Sequence, residues 1–452
     1  MRHLPPELLC MIGNYVDDKP TQRALAECSR YFHNLFMPRL YSSIEPFTSI
    51  PYTDAKPSQL KSSRTFALIR LLWSRPDLAR HVQHMEFHLH NGYRDAWVGV
   101  LLTRLSRLKT ITAHACPIAL DINLIFEKAA LRQSPFHRDV PFPHLNKVRF
   151  VQLPGHYPVY AETLIPFFYF PALRSVEGLG VRESLRPYVH PKLRGIKNIG
   201  SPVREITVSG PSHFRTVGLW IEACSNLERV HVNIEPSRAV DLEWYQSRVK
   251  GVRKSLLPAK RTLKSLCLLL IDFRVRSHYL RDHYEALRGV LDGPFGSFKE
   301  FEVLEHLSIR HPNLVTLSGE DTGGEHSKDG ERLIDLLPRS LKSLEITEIQ
   351  RKFLAGLIAD ILFLGQHRES SVPCLESIAL VVIEEWPPYV ASLKSLALML
   401  DAGRIYRDRW DDSGDSDEDE YSDENFCLYG YEYSDEYSDE DEEDEEDEEV
   451  AQ

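Results

Sequence analysis

The chain has 452 residues, of which 42% are hydrophobic and 27% are charged, so it can bury a sizeable core and is not disordered as a whole. Its longest apolar run, around Leu266 to Ile271, is far shorter than the about 20 residues that cross a bilayer, which argues against a membrane protein. The seven cysteines never form a Cys-x-x-Cys pair. We therefore expect reduced thiols in a cytoplasmic or nuclear protein, and neither a disulfide scaffold nor a zinc finger.

The net charge of −12 is distributed unevenly. Residues 411–452 contain 23 Asp or Glu and no Lys or Arg, which leaves a formal charge of +11 on residues 1–410. Self-repulsion and scarce apolar residues predict a disordered acidic tail over 406–452. Three roles for it stay open: it keeps the protein in solution, it folds back over a basic surface of the body, or it binds basic partners such as histones.

The first 45 residues predict short helices. Apolar residues recur at helical spacing behind two prolines that suit a first helical turn: Leu8, Leu9, Ile12 and Val16. A second amphipathic stretch runs from Gln22 to Leu35 and ends before Pro38. Three prolines among Ser and Thr over 46–61 are typical of a linker, so we place the first domain boundary at residue 45.

From about residue 62 to 405 a short motif returns, Leu-x-x-Leu-x-Leu or its aliphatic equivalents, whose closing alternation predicts a strand. The clear copies are Leu145, Val148, Phe150; Val203, Ile206, Val208; Leu227, Val230, Val232; Leu263, Leu266, Leu268; Leu304, Leu307, Ile309; Leu341, Leu344, Ile346; Leu375, Ile378, Leu380; and Leu393, Leu396, Leu398. Weaker copies begin at Val82, Leu108 and Leu173.

Amphipathic helical patterns lie between the copies, for example Thr65 to Trp73 and Lys352 to Leu364. One strand followed by one helix is the unit of a solenoid, and stacked units bury one continuous core. The predicted fold class is therefore an α/β solenoid, an irregular horseshoe with a parallel sheet. Glycine and proline around Phe295 to Phe298, and the polar stretch from Ser318 to Gly330, predict mobile loops.

The N-terminus resembles an F-box. Leu4-Pro5-Pro6-Glu7, an aliphatic residue two turns on, Ser29-Arg30-Tyr31-Phe32 and Pro38-Arg39-Leu40-Tyr41 match the family pattern over about 41 residues. The motif starts at residue 4, which is an unusually short lead-in. The repeats that follow resemble the irregular leucine-rich repeats often found after fungal F-boxes.

The resemblance implies a non-enzymatic adaptor of a Skp-cullin-F-box ubiquitin ligase. By resemblance, five residues contact the Skp-type adaptor: Leu4, Pro5, Leu8, Leu9 and Ile12. The repeats would then bind a target protein. Two alternatives stay open: the helices only cap the first repeat, or the chain is a ligase-independent scaffold whose acidic tail binds basic nuclear partners.

Strand residues that alternate with the motif leucines are expected to face the concave side of the sheet. The candidate target-binding residues are Lys147, Arg149, Arg229, His231, His306 and Arg310. Four of them are basic, which favours an acidic or phosphorylated target. An ordinary solvated sheet face is the equally weighted alternative.

The sequence offers little catalytic chemistry. His84, Glu86, His88 and His90 share one face of a predicted strand, but no further ligand or buried surrounding is apparent, so we predict no metal site. We find no nucleophile elbow, no phosphate-binding glycine loop and no dinucleotide motif. We therefore predict no enzyme activity and no cofactor, and the moderate basicity of the body does not favour nucleic-acid binding.

Overall fold

A computed structural model gives the fold of most of the chain. The residues it describes are 5–45, 64–88, 93–115, 120–152, 159–182, 191–193, 195–196, 199–210, 215–234, 248–270, 294–315, 332–383, 396–401 and 404–408. The predicted linker over 46–61, Leu4, His90 and Ser318 to Gly330 lie outside the described residues, as does the predicted tail from residue 409 onward.

The N-terminus forms three helices, α1 (Pro6–Asn14), α2 (Lys19–Cys28) and α3 (Arg30–Leu40). The single second helix predicted over Gln22 to Leu35 is wrong, because Ser29 is extended and its hydroxyl accepts a hydrogen bond from the Phe32 amide at 3.2 Å. Serine in that role is a strong helix start. Pro38 lies within α3 and does not end it.

One sheet of 13 strands dominates the structure, and its strand order follows the chain. Its first 11 strands are parallel, as the repeat pattern predicts for an α/β solenoid. They are β1 (Ser43–Ile44), β2 (His84–His88), β3 (Thr110–Ala115), β4 (Lys147–Gln152), β6 (Ser175–Leu179), β8 (Glu205–Ser209), β9 (Arg229–Ile234), β10 (Ser265–Leu270), β11 (His306–Arg310), β12 (Ser343–Gln350) and β13 (Ser377–Ile383). A separate two-stranded parallel sheet joins β5 (Val159–Tyr160) to β7 (Val181–Arg182).

Helices fill many of the connections between the strands. The α-helices are α4 (Arg64–Ser74), α5 (Pro76–Ala79), α6 (Tyr93–Leu102), α7 (Leu120–Ala130), α8 (Arg215–Ala223), α9 (Arg248–Leu256), α10 (His311–Leu314), α11 (Leu333–Leu336), α12 (Arg351–Gln366) and α13 (Arg368–Ser371). The described connections also contain 3-10 helices, at Ala161–Tyr169, Pro191–Leu193 and Leu257–Ala259, the last of which follows α9 directly.

The core lies between the sheet and these helices. In each parallel strand from β2 to β13, the two alternating strand positions of the motif are buried, as is the motif residue that precedes the strand, and the register aligns the first of the strand positions into a row across the sheet. That row contains Met85, Ile111, Val148, Val176, Ile206, Val230, Leu266, Leu307, Leu344 and Ile378. The sheet and the helices bury these residues in one continuous cluster, which is how stacked repeats acquire a core.

The last predicted repeat is wrong. Strand β14 (Leu396–Asp401) pairs antiparallel with β13, and β15 (Arg404–Asp408) pairs antiparallel with β14. The segment that holds Leu396 and Leu398 therefore forms a terminal hairpin and not a further solenoid unit. Because β15 continues to Asp408, it also crosses the predicted start of the tail at residue 406. Residues 1–409 and 410–452 form separate units.

The predicted mobile segment around Phe295 to Phe298 is also wrong in its described part. Phe295 and Phe298 are buried, and their rings stack with centroids 4.5 Å apart. Backbone hydrogen bonds tie the Phe295 amide to the Asn313 carbonyl at 2.8 Å and the Phe298 amide to the Leu336 carbonyl at 2.7 Å. Burial of the two large aromatic side chains stabilises this segment, and this effect exceeds the local flexibility that glycine and proline predict.

Candidate functional site: an apolar helix face and the polar side of the sheet

Helix α3 is fixed to the beginning of the sheet. Strand β1 follows it after two residues and pairs with β2, and Ile44 of β1 is buried in the core. Met37 and Tyr41 pack against the same core. The Lys19 ammonium of α2 donates a hydrogen bond to the Ser43 carbonyl at 2.9 Å. The sheet thus begins within the first 45 residues, ahead of the predicted domain boundary.

Helix α1 is held against α3 by one arginine. The Arg39 guanidinium donates hydrogen bonds to the Asn14 amide oxygen at 2.6 Å and to the Cys10 carbonyl at 3.2 Å. A Cβ at Gly13 would lie 2.7 Å from Arg39 Nη1, so glycine permits this close approach. The orientation of α1 relative to the sheet therefore depends on contacts with α3.

One face of α1 is apolar and uncovered. Leu8 is 44% exposed, Met11 56%, Ile12 52% and Tyr15 86%. Their spacing of three, four and seven residues places them on one side of the helix. A surface helix normally buries such a face against its own core; here the face is open within the part of the chain that the structure describes.

Three of the predicted adaptor-contact residues lie on or beside this face. Leu8 and Ile12 belong to it, Pro5 is exposed at the start of α1, and Leu9 is half-buried. Met11 and Tyr15 were not among the predicted adaptor contacts, although their helical spacing from Leu8 and Ile12 is visible in the sequence. We call Leu8, Met11, Ile12 and Tyr15 the α1 face.

A second candidate surface is the side of the sheet that faces away from the core, which we call the open face. Strand register arranges its side chains in rows. The first open row contains His84, Thr110, Lys147, Ser175, Glu205, Arg229, Ser265, His306, Ser343 and Ser377. The second open row contains Glu86, Thr112, Arg149, Glu177, Thr207, His231, Cys267, Ser308, Glu345 and Ala379. Five of the six candidate target-binding residues lie in these rows.

The basic residues of the open face are paired with carboxylates. Lys147 and Arg149 share Glu177, each at 3.3 Å, and Arg229 pairs with Glu205. The two rows contain three Lys or Arg and four Glu. The expected basic face is therefore balanced in charge, although Lys147 and Arg149 both stay 45% exposed at the side chain and share only one carboxylate.

Arg310 does not point into solvent, and this part of the prediction is wrong. The residue is only 1% exposed, and its Nε donates a hydrogen bond to the Glu348 carboxylate at 2.6 Å. The register between β12 and β13 shifts between Ile346 and Ile349, and Glu348 there adopts a positive φ of 53°. This bulge brings the carboxylate to Arg310, which no repeat pattern could show.

The two candidate histidines are in different settings. Burial lowers the pKa of His231 below its usual value, so its ring is neutral near pH 7. His306 Nδ1 lies 2.8 Å from the Ser343 hydroxyl oxygen. Cys267 is the register partner of His231, but burial raises the pKa of its thiol to about 11. A protonated thiol is a poor nucleophile, so this pair does not suggest covalent catalysis.

The histidine group of β2 also lacks a clear chemical role. The rings of His88 and His114 stack with centroids 4.5 Å apart, and His114 Nε2 lies 2.7 Å from a Glu86 carboxylate oxygen. Among the described residues, no group of three or more His, Cys, Asp or Glu is placed to hold a metal ion. No described helix has the length and apolar character to cross a membrane.

A third feature follows the edge of the sheet at which the strands begin. The residue immediately before each parallel strand from β2 to β13 donates its backbone amide to a backbone carbonyl at 2.7 to 2.8 Å. The acceptor is the residue that holds the same position before the neighbouring, preceding strand. We call this series the edge line. In chain order it contains Gln83, Lys109, Asn146, Arg174, Arg204, Glu228, Lys264, Glu305, Lys342 and Glu376.

Comparison with known protein families agrees with this repeat architecture. The family model of a leucine-rich repeat domain matches residues 135–385. The chain belongs to the leucine-rich repeat family. A search of curated proteins gave no match. Leucine-rich repeats generally serve as protein-interaction modules, so the repeat part of this chain has a protein-interaction role. The matched range begins after the three N-terminal helices.

Proposed function

We propose that this leucine-rich repeat protein is the substrate-recognition subunit of a Skp-cullin-F-box ubiquitin ligase. The α1 face binds a Skp-type adaptor, and the repeats bind a target protein. The single observation that carries the proposal is the uncovered α1 face on a helix whose neighbour, α3, is packed against the sheet. The F-box pattern of residues 4–41 supports the same conclusion.

The α1 face has the chemistry expected of an interface centre. A standard interface buries about 1,600 Å² in total, and a few apolar or aromatic anchors near its centre dominate the binding free energy. Leu8, Met11, Ile12 and Tyr15 provide four such side chains along about two turns of one helix. We therefore keep Leu4, Pro5, Leu8, Leu9 and Ile12 as proposed adaptor contacts and add Met11 and Tyr15.

In this proposal the chain contributes proximity and no bond chemistry. The adaptor holds it on the cullin scaffold, and enzymes elsewhere in the complex transfer ubiquitin to the bound target. Holding two reactants together raises their effective concentration. The attachment of α3 to β1 and the core suits this role, because it gives the adaptor-binding helices a fixed connection to the repeats.

Adaptor co-purification tests the proposal. Leu8→Asp with Ile12→Asp places two charges in the α1 face, and we expect adaptor affinity to fall by at least about 30-fold, the effect of a lost anchor. Leu124→Asp in α7 is the matched control, since Leu124 is 46% exposed on a repeat helix and its substitution should leave adaptor recovery unchanged. Equal recovery of the adaptor with wild type and the double variant would contradict the proposal.

The competing function is a ligase-independent scaffold whose N-terminal helices only cap the repeats. The packing of Met37 and Tyr41 against the core favours a capping role for α3. In that case no Skp-type adaptor would be recovered with the wild-type chain. Basic nuclear proteins would instead co-purify with the chain and disappear when residues 411–452 are removed.

A further inference from the structure

The edge line changes character halfway along the sheet. Its first five members, from Gln83 to Arg204, contain three cations and no carboxylate. Its last five members, from Glu228 to Glu376, contain three carboxylates and two cations in strict alternation. The formal charges of the two halves are therefore +3 and −1. The same backbone ladder runs through both halves, so the fold alone does not require this difference.

In the second half each cation is paired with a carboxylate. Glu228 accepts from Lys264 at 3.0 Å and pairs with Arg204 at the same distance. Lys342 pairs with Glu305 at 3.1 Å. Hydrogen bonding from Lys264 lowers the pKa of Glu228 below its usual value, in keeping with an ionised carboxylate at neutral pH.

Among the described residues, Lys109 and Arg174 of the first half have no carboxylate partner, whereas Arg204 pairs with Glu228. Within the described residues, the Lys109 ammonium has no hydrogen-bond or ion-pair partner. Arg174 donates to the Leu173 and Pro202 carbonyls at 3.1 and 3.2 Å. Exposed Arg80 and Arg107 occupy the turns before β2 and β3, and burial, followed by the charges of these two arginines, lowers the pKa of His81.

Over β2 to β6 the open face is balanced in formal charge, since Glu86 of β2, which contacts His114, and Glu177 of β6 oppose two cations. Those cations are Lys147 and Arg149 of β4, which share Glu177 and stay 45% exposed at the side chain beside the edge line. In register with them on β3 are Thr110 and Thr112. We call Arg80, Arg107, Lys109, Lys147 and Arg174 the basic edge; the first and last lie on turns three strands apart in the sheet.

We infer that the basic edge binds an acidic run of a partner polypeptide, an extended segment with several Asp or Glu side chains. This inference rests on the proposed function, in that it locates target recognition at the starts of β2, β3, β4 and β6. Neighbouring strands lie about 4.8 Å apart, so the basic edge spans roughly 14 Å, which an extended segment of about five residues covers.

The distribution of the cations favours an acidic run over a single phosphate. A phosphate site brings several donors to one point, whereas these cations follow the edge at about one per strand. Single-stranded nucleic acid is recognised largely by stacking on aromatic side chains. The two open rows contain no Phe, Tyr or Trp, while their Ser and Thr hydroxyls can bond to a peptide backbone.

Peptide binding with charge reversal tests the inference. The probe is a labelled peptide of about ten residues with alternating Glu and Ser, long enough to span the basic edge. Arg107→Glu with Lys109→Glu should raise its dissociation constant about tenfold, from two lost exposed ion pairs and two new repulsions. Lys264→Glu with Lys342→Glu is the matched control: it makes the same change in net charge on the other half of the edge line and should shift the constant less than about twofold.

The measurements use the full chain and also residues 1–409, a compact unit by themselves, so that the acidic residues 411–452 cannot account for a negative result. The inference is overturned if wild type fails to bind the peptide in both forms, or if the two reversal variants weaken binding equally. It is also overturned if a peptide with one phosphoserine in a neutral background binds more tightly, or if a single-stranded RNA displaces the acidic peptide. Arg107→Glu with Lys109→Glu should not change recovery of the adaptor. A negative peptide-binding result therefore leaves the ligase proposal standing, and a negative adaptor co-purification leaves the peptide-binding inference standing.

Discussion

The two halves of the repeat sheet, β2 to β8 and β9 to β13, have the same apolar pattern on their buried side and different charge patterns on their polar side. Both halves bury an unbroken row of apolar residues beneath the strands. Along the edge line, by contrast, the first half is basic and the second alternates in sign. Stacking of repeats fixes only what points inward. Outward residues are free to vary, so differences between the halves on that side point to function.

The two halves also differ in how deeply one of their strand arginines is buried. In the first half Arg149 is exposed and shares Glu177 with Lys147. In the second half Arg310 is enclosed and bonded to Glu348, which is itself largely covered. An exposed ion pair contributes little to stability, whereas a buried charge depends strongly on its partner. One arginine is thus available to a ligand, and the other stabilises the fold.

The largest expected effect comes from breaking the buried pair. Glu348→Gln removes a carboxylate that is bonded to buried Arg310 and should lower the free energy of unfolding by about 3–5 kcal/mol, because removing one member of a buried ion pair is strongly destabilising. Glu177→Gln, at the exposed pairs of the first half, should cost less than about 1 kcal/mol. Urea denaturation of both variants measures the difference. Similar midpoints for the two would show that Arg310 is not confined as its burial indicates.

The sequence predicted the strands well because a repeat needs apolar side chains at fixed positions. Val82, Leu108 and Leu173 begin weak copies of the motif, yet each precedes a parallel strand and is fully buried. Strand β1 escaped notice, since two residues cannot show a period. The Leu393 copy has the pattern of a repeat strand, but β14 reverses direction, and strand direction is set by the connection and not by the strand's own residues.

The candidate surfaces were less predictable. The Leu-Pro and aliphatic pattern indicated α1, but not which of its apolar residues stay exposed, which depends on how Arg39 and Gly13 orient the helix. Charge partners on neighbouring strands lie about 24 to 38 residues apart in the chain, as Arg229 to Glu205 and Arg310 to Glu348 do. Such pairs become visible only when the register is known. The basic residues of the open face therefore looked unpaired in the sequence.

A smaller effect should come from two glycines, one beneath each half. A Cβ at Gly178 in β6 would lie 2.5 Å from Val181 Cγ2 and 3.1 Å from Leu164 Cδ1, so Gly178→Ala should destabilise by about 1–3 kcal/mol through overpacking. Gly251 in α9 has no atom within 4 Å of the same position, so Gly251→Ala should stabilise by about 0.5–1 kcal/mol through helix propensity. Thermal unfolding shifts of opposite sign are the expected result. Two shifts of the same sign would mean that the space beneath the sheet is alike in both halves.

The smallest expected effect is a difference in acid sensitivity between the halves. Burial, followed by the charge of Lys109, lowers the pKa of His84 below 6.5. The folded chain therefore prefers the neutral ring, and the stability that this preference provides is complete above pH 6.5. As the pH falls from 6.5 through the lowered pKa, this stability is lost, because the unfolded chain takes up the proton first. For Glu228 in the second half, hydrogen bonding from Lys264 lowers the pKa below 4.5, and its contribution is lost only as the pH falls below that value. In a pH series of urea denaturation, His84→Gln should flatten the stability curve just below pH 6.5 and Glu228→Gln only below pH 4.5. If the two variants flatten the same part of the stability curve, the two halves of the edge line do not differ in their response to acid.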